Sequence, residues 1–197
     1  MRGAEIRARL EVPYRFGEHV DLRRVVCEDH LDLDGATLTA ADFTGARFPQ
    51  GISACGARFQ GLAWFCGVHA AGGDLSGAVF HSDARFDGAQ FTRRLVMQQA
   101  EFRGVLQFDG ATLAEGVDLS DAVGYGNCSF ERARLQGASS LRGSEWMGGL
   151  WMESAILDRL ETDDMQVHGR LWTRRARLGD AALPPARFSI SFGYAYA

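Results

Sequence analysis

Large apolar residues recur along this chain in steps of five and six, a spacing that belongs neither to an α-helix nor to a flat strand. Leu33, Leu38, Phe43 and Phe48 follow one another at five. From Phe59 the steps alternate between five and six through Trp64, Leu75, Phe80, Phe86, Phe91, Met97, Phe102 and Phe108, and onward, with Trp172 as an inward position, to Phe188. A chain with this period buries one large residue per side only by winding into a coil whose turns stack.

A second signal runs in step with the first. Two residues before most of the large positions stands a small one, as at Ala41, Ala46, Ala57, Ala78, Ala84, Ala89, Ala111, Cys128 and Ala133. Residues i and i−2 of an extended segment point the same way, so both face the interior. The residue between them faces out and is often polar, as at Asp42, Arg85, Glu101 and Arg134. Glycine is frequent two places after the large residue (Gly45, Gly77, Gly88, Gly110), where a tight corner needs backbone angles that other residues resist.

Four such sides make a coil of about 22 residues, a period typical of stacked repeats. At that step one column reads Trp64, Phe86, Phe108, Phe130, Met152, and the next Phe91, Leu113, Leu135, Leu157, Leu178. A third holds Leu75, Met97, Leu119 and Leu141; the fourth holds Phe80, Phe102, Gly124, Trp146, Val167 and Phe188. Like residues fall on like. The 13 Phe are spread along 197 residues, as a core that grows one layer at a time requires.

The segments ADFTGARF (41–48), DLSGAVF (74–80), ARFDGAQF (84–91) and RARLQGA (132–138) resemble the A(D/N)LxG pattern of the pentapeptide-repeat family. The resemblance implies an all-β fold, a right-handed, four-sided β-helix of about seven coils, with the large residue and its small i−2 neighbour inside. The alternating six-residue side departs from the family's strict pattern, so some corners are expected to bulge. Residues 1–30 are expected to form an N-terminal cap in which Phe16, Leu22 and Cys27 continue the register, residues 31–190 the β-helix, and residues 191–197 an aromatic C-terminal tail suited to homodimer contact. Some members of the family protect type II topoisomerases from inhibitors by resembling duplex DNA, commonly as homodimers. The first functional expectation is therefore a non-enzymatic, DNA-mimicking resistance factor; a scaffold, or an enzyme of a specialised-metabolite pathway, are the alternatives.

A net charge of −4 argues against direct binding of nucleic acid through bulk basicity, and for a basic partner. No apolar run is long enough for a membrane span and no signal segment opens the chain, so a cytoplasmic location without membrane contact is expected. Cys27, Cys55, Cys66 and Cys128 follow no metal-ligand spacing and read as reduced structural thiols. No phosphate-binding, dinucleotide or nucleophile motif is present, and no metal or cofactor is expected.

The residues that follow the Phe86 column are Asp87, Asp109, Glu131 and Glu153, four carboxylates on successive coils about 4.8 Å apart. Like charges at that distance cost free energy. A stripe of this kind suits the basic surface of a partner protein, a type II topoisomerase being the one that the resemblance implies. Met147 and Trp151 are outward apolar residues near it and mark a contact patch. His81, Asp83 and Glu101 form the local group best suited to acid–base chemistry, and the register break over residues 65–73 is where a pocket is expected.

Overall fold

Each side of the coil is a strand of mostly two residues, too short to stand alone, paired in parallel with the strands one coil away, save Ala181–Ala182, which folds back antiparallel on Arg177–Leu178. The structure, a computed structural model describing residues 1–190 and 195–196, stacks these strands into sheets of nine, thirteen and seven. The thirteen-stranded sheet covers two sides because the strand Arg134–Ser140 continues around the corner between them. The chain is a four-sided parallel β-helix. Its nine-strand side makes it somewhat taller than the expected seven coils.

The core columns follow the sequence pattern with one correction that recurs. On the nine-strand side Ala84 pairs with Ala63 and Arg85 with Trp64, so Phe65 and not Trp64 lies level with Phe86. Phe65 is buried, and Trp64 is a half-buried outward residue. The column then reads Phe43, Phe65, Phe86, Phe108 and Phe130, with successive rings stacked at 4.9, 4.9, 4.9 and 5.1 Å. Each such ring pair adds ~0.5–1.5 kcal/mol beyond the area it buries. The same one-place shift applies further up, where Thr173 and not Trp172 is buried. At the top of the fourth column Ile190, rather than Phe188, bridges Val167. With Phe65 in place, the supposed break over residues 65–73 disappears: His69–Ala70 and Gly73–Asp74 are ordinary strands of the stack.

The alternation of five and six has a structural cause. After the first and third columns the chain turns in a tight four-residue bend, as in Phe108–Asp109–Gly110–Ala111, closed by the amide of Ala111 donating to the carbonyl of Phe108 at 3.0 Å. The third residue of that bend takes a positive φ, 65° at Gly110. The residue that closes it is the small inward one, which is why Ala precedes the next large position by two. Where the bend carries Arg132 (φ 56°) or Ser154 (φ 58°) instead, an L side chain occupies the left-handed region.

At the base the helix α1 (Gly3–Leu10) lies across the stack and buries Ile6 and Leu10 against its core. Its N-terminal amide at Gly3 donates to Asp29 Oδ1 at 2.6 Å, and Thr39 N donates to Leu10 O. Leu22 and Cys27 are buried in the core, but Phe16 stands 96% exposed, contrary to the expectation that it continues the register. Of the aromatic tail 191–197, residues 191–194 and 197 lie outside the described residues. Ala195–Tyr196 adds a parallel strand beside Leu171 and Trp172.

Candidate functional site

The candidate face is the outer surface of the nine-strand side and the corner that follows it. Strand register places Arg85, Gln107, Ser129, Trp151 and Trp172 in one outward row. The bends after the Phe86 column present Asp87, Asp109, Glu131 and Glu153, all half-buried, on successive coils. The four expected carboxylates therefore share one corner, but their surroundings differ.

The ends of the ladder are neutralised. Asp87 accepts from Arg85 Nε at 3.0 Å, and Glu153 lies 3.7 Å from Arg175. In the middle no cation is held. Asp109 is fixed by three donors: Gln107 Nε2 at 2.7 Å, Ser129 Oγ at 2.5 Å and the amide of Glu131 at 3.2 Å. The carboxylate of Glu131 has no hydrogen bond or ion pair among the described residues. Burial raises its pKa above the usual value, and the charge of Asp109, with that of Glu153, adds to the shift; Arg132 opposes it.

The four cysteines are free thiols. Burial, and then the neighbouring Asp87, pushes the Cys66 thiol up to about 11; its Sγ lies 3.5 Å from Asp87 Oδ2. Cys128 behind the ladder is raised by burial and by Asp109. Such thiols are not nucleophiles at neutral pH.

Trp151 and Met147 are divided by the corner at Gly148–Gly149. Met147, 37% exposed, follows the strand Glu145–Trp146 of the seven-strand sheet, whereas Trp151 belongs to the nine-strand side. Trp172 lies in register with Trp151, and Tyr196 stacks on Trp172 at 4.4 Å. Sequence reasoning missed this aromatic row because it placed Trp172 in the core. The spacing of 21 residues from Trp151, one short coil, was the signal for it.

The group His81, Asp83 and Glu101 is not assembled for acid–base work. Arg103 stands between, 3.2 Å from His81 Nδ1 and 2.7 Å from Glu101 Oε1. Asp83 instead accepts the amide of Val105 at 2.9 Å, on the neighbouring side. Burial, and then the charges of Arg103 and Arg58, push the pKa of His81 below the ordinary histidine value.

Among the described residues no helix is long and apolar enough to cross a membrane. No family model matches the chain, and no curated protein does. Among solved structures 11 chains match. One is a trypsin-treated variant of QnrB1, a plasmid-mediated fluoroquinolone resistance protein: 18% identity, 93% of this chain and 86% of that chain covered, TM-score 0.41. Another is HetL, a pentapeptide repeat protein involved in heterocyst differentiation regulation from the cyanobacterium Nostoc: 17% identity, 90% and 89% covered, TM-score 0.19. Likeness at this level carries no functional argument, and the fold rests on the coil geometry itself. Parallel strands on four sides, a large inward residue with its small i−2 partner, and tight bends between them give this chain the architecture of a pentapeptide-repeat β-helix.

Proposed function

We propose that this protein is a non-enzymatic binding protein whose carboxylate corner and aromatic row receive a basic surface of a partner protein. The observation that carries the reading is Glu131, a half-buried carboxylate without a cation, set between Asp109 and Glu153 on neighbouring coils. Charge left uncompensated at coil spacing costs stability in the free protein, and a basic partner recovers that cost on binding. Surfaces kept against the interest of stability are the mark of a contact that matters.

The finer form of the proposal is that the partner is a type II topoisomerase, engaged in place of duplex DNA, with protection from inhibitors as the outcome. The test is a gyrase supercoiling assay, with and without a quinolone, using the wild-type protein and Glu131→Gln at two salt concentrations. The expected result is inhibition or protection by the wild type, weakened in the variant, with the difference shrinking as salt screens the stripe. Equal behaviour of both proteins at both salt concentrations removes the topoisomerase reading.

A further inference from the structure

Below Trp151 the candidate face has a shallow depression, open to solvent. Val105, Gln107, Asn127 and Ser129, from one side of two successive coils, form its floor, Asp109 and Glu131 one wall, and Trp151 the upper wall; the space amounts to about 320 Å³. We propose that this hollow is a socket for a single arginine side chain of the basic partner, a proposal that rests on the binding reading above and names the group recognised.

Three features lead to arginine. First, the indole is held in place. A methyl group on Gly149 would stand 2.8 Å from Trp151 Cζ3, so the ring lies back over bare backbone two residues before it on the same strand. The next coil carries Trp172 in register above it. Trp is the strongest ring for a cation to lie against.

Second, the two carboxylates differ in the way a forked donor uses. Asp109 is anchored by Gln107, Ser129 and the amide of Glu131, three of the roughly four lone-pair positions a carboxylate offers. It is a fixed acceptor with a position left over. Glu131, one coil above, is unpaired and adjustable. Acceptors on successive coils, about 4.8 Å apart, suit a planar guanidinium that donates along two edges while its face meets the indole. An ammonium is a point charge and cannot make both contacts in this way.

Third, the protein's own arginines leave the hollow open. Arg85 is turned to Asp87 and Arg175 to Glu153 at the ends of the ladder, and Arg132, the cation next to Glu131, forms no ion pair with it among the described residues. The empty place lies below the Trp151 wall.

The test uses the full chain, labelled with ¹⁵N, and three short blocked peptides as probes: acetyl-Gly-Arg-Gly-amide and its citrulline and lysine counterparts. The arginine peptide should shift, saturably, the indole signal of Trp151 (identified by its loss in Trp151→Leu) together with the amides of Asp109 and Glu131. Citrulline, which has the same shape without the charge, should leave these signals in place, and lysine should bind several-fold more weakly. Glu131→Gln should weaken the arginine peptide about tenfold, the loss of one charge-assisted contact. Equal shifts from citrulline or lysine overturn the socket, as do arginine-induced shifts spread over the acidic residues of the whole chain. Loss of the topoisomerase effect with retained arginine binding overturns the named partner and supports the socket. A charge-dependent partner effect without peptide binding at Trp151 overturns the socket alone.

Discussion

The indole of Trp146 fills the space that a side chain on Gly124 would need: a methyl group there would lie 2.6 Å from Cζ3 of the ring. Gly124 and Trp146 are register partners in the fourth column, where Phe102 stands one coil below Gly124. The glycine thus carries no side chain because its neighbour carries a double share. Trp146 Nε1 donates to Ser144 Oγ at 3.0 Å, so the buried indole is satisfied as well as packed. Gly124→Ala should cost ~1–3 kcal/mol by overpacking, measured by urea unfolding. In the Trp146→Leu background the same change should cost less, and equal costs in both backgrounds would show that the two residues do not share that space.

The one-place shift at Phe65 has its own test. Phe65→Ala removes a ring stacked between Phe43 and Phe86 and should cost ~3–5 kcal/mol. Trp64→Ala, on the outer face, should cost well below that. A reversed order would restore the register with Trp64 inside.

Arg132 occupies the bend position that Gly110 fills one coil earlier, with φ of 56° against 65°. The left-handed conformation costs an L residue ~1–2 kcal/mol, and glycine returns ~0.5–1 of that in chain entropy. Arg132→Gly should therefore stabilise the protein by about 0.5–1 kcal/mol. Thermal unfolding decides; a loss of stability would mean that the side chain makes contacts that outweigh the bend.

Glu131 has a raised folded-state pKa, so the native protein binds the proton more tightly than the unfolded chain does. Stability from this group is full below the ordinary carboxylate pKa and is lost as pH rises through the raised value. Glu131→Gln should then stabilise the free protein at neutral pH by a few tenths of a kcal/mol, with the difference vanishing in acid. Asp109→Asn should do the opposite. It disturbs a carboxylate with three donors, each worth ~0.5–1.5 kcal/mol. Chemical unfolding of both variants at acid and neutral pH checks the signs.

His81 runs the other way. Its folded pKa is lowered by burial and by Arg103 and Arg58, so the unfolded chain takes up the proton first. Stability is present above the ordinary histidine pKa and declines as pH falls through and below it. His81→Gln should flatten that decline. If wild type and variant lose stability in parallel between neutral pH and the ordinary histidine range, His81 is not its source.

Most of the fold was legible because its period is unlike that of any other regular structure. Between Phe86 and Met152 the columns could be read directly, with Gly124 in its place in the fourth, whereas above them the positions of Trp172 and Phe188 were misread. The error at Trp64 arose because Trp64 and Phe65 are adjacent and both large. The finer rule would have separated them, since Phe65 has Ala63 two places before it and Gly67 two places after, whereas Trp64 has Leu62 and Cys66. Helix α1 gave little signal: it has eight residues, no Ser, Thr, Asp or Asn at its N-cap, and only Ile6 and Leu10 as large apolar residues to bury. The carboxylate ladder was legible as a column. Which of its members hold a cation was not, since that depends on where Arg85 and Arg175 point rather than on spacing.

The two kinds of corner respond differently to a change in chain length. From Phe86 to Met152 every coil has the same pattern, but the coils beginning at Leu22, Phe65 and Met152 are each one residue shorter. In all three the missing residue comes from a six-residue side, at the second or fourth corner; the tight bends after the first and third columns keep their length throughout. Codon loss or gain is thus absorbed at two edges of the rod and rejected at the other two. The carboxylates and the Trp151 hollow border a rejecting edge. Lineages of this fold should accumulate indels on the permissive edges while the carboxylate edge keeps its spacing, and a designer who lengthens the rod by whole coils inherits the same rule.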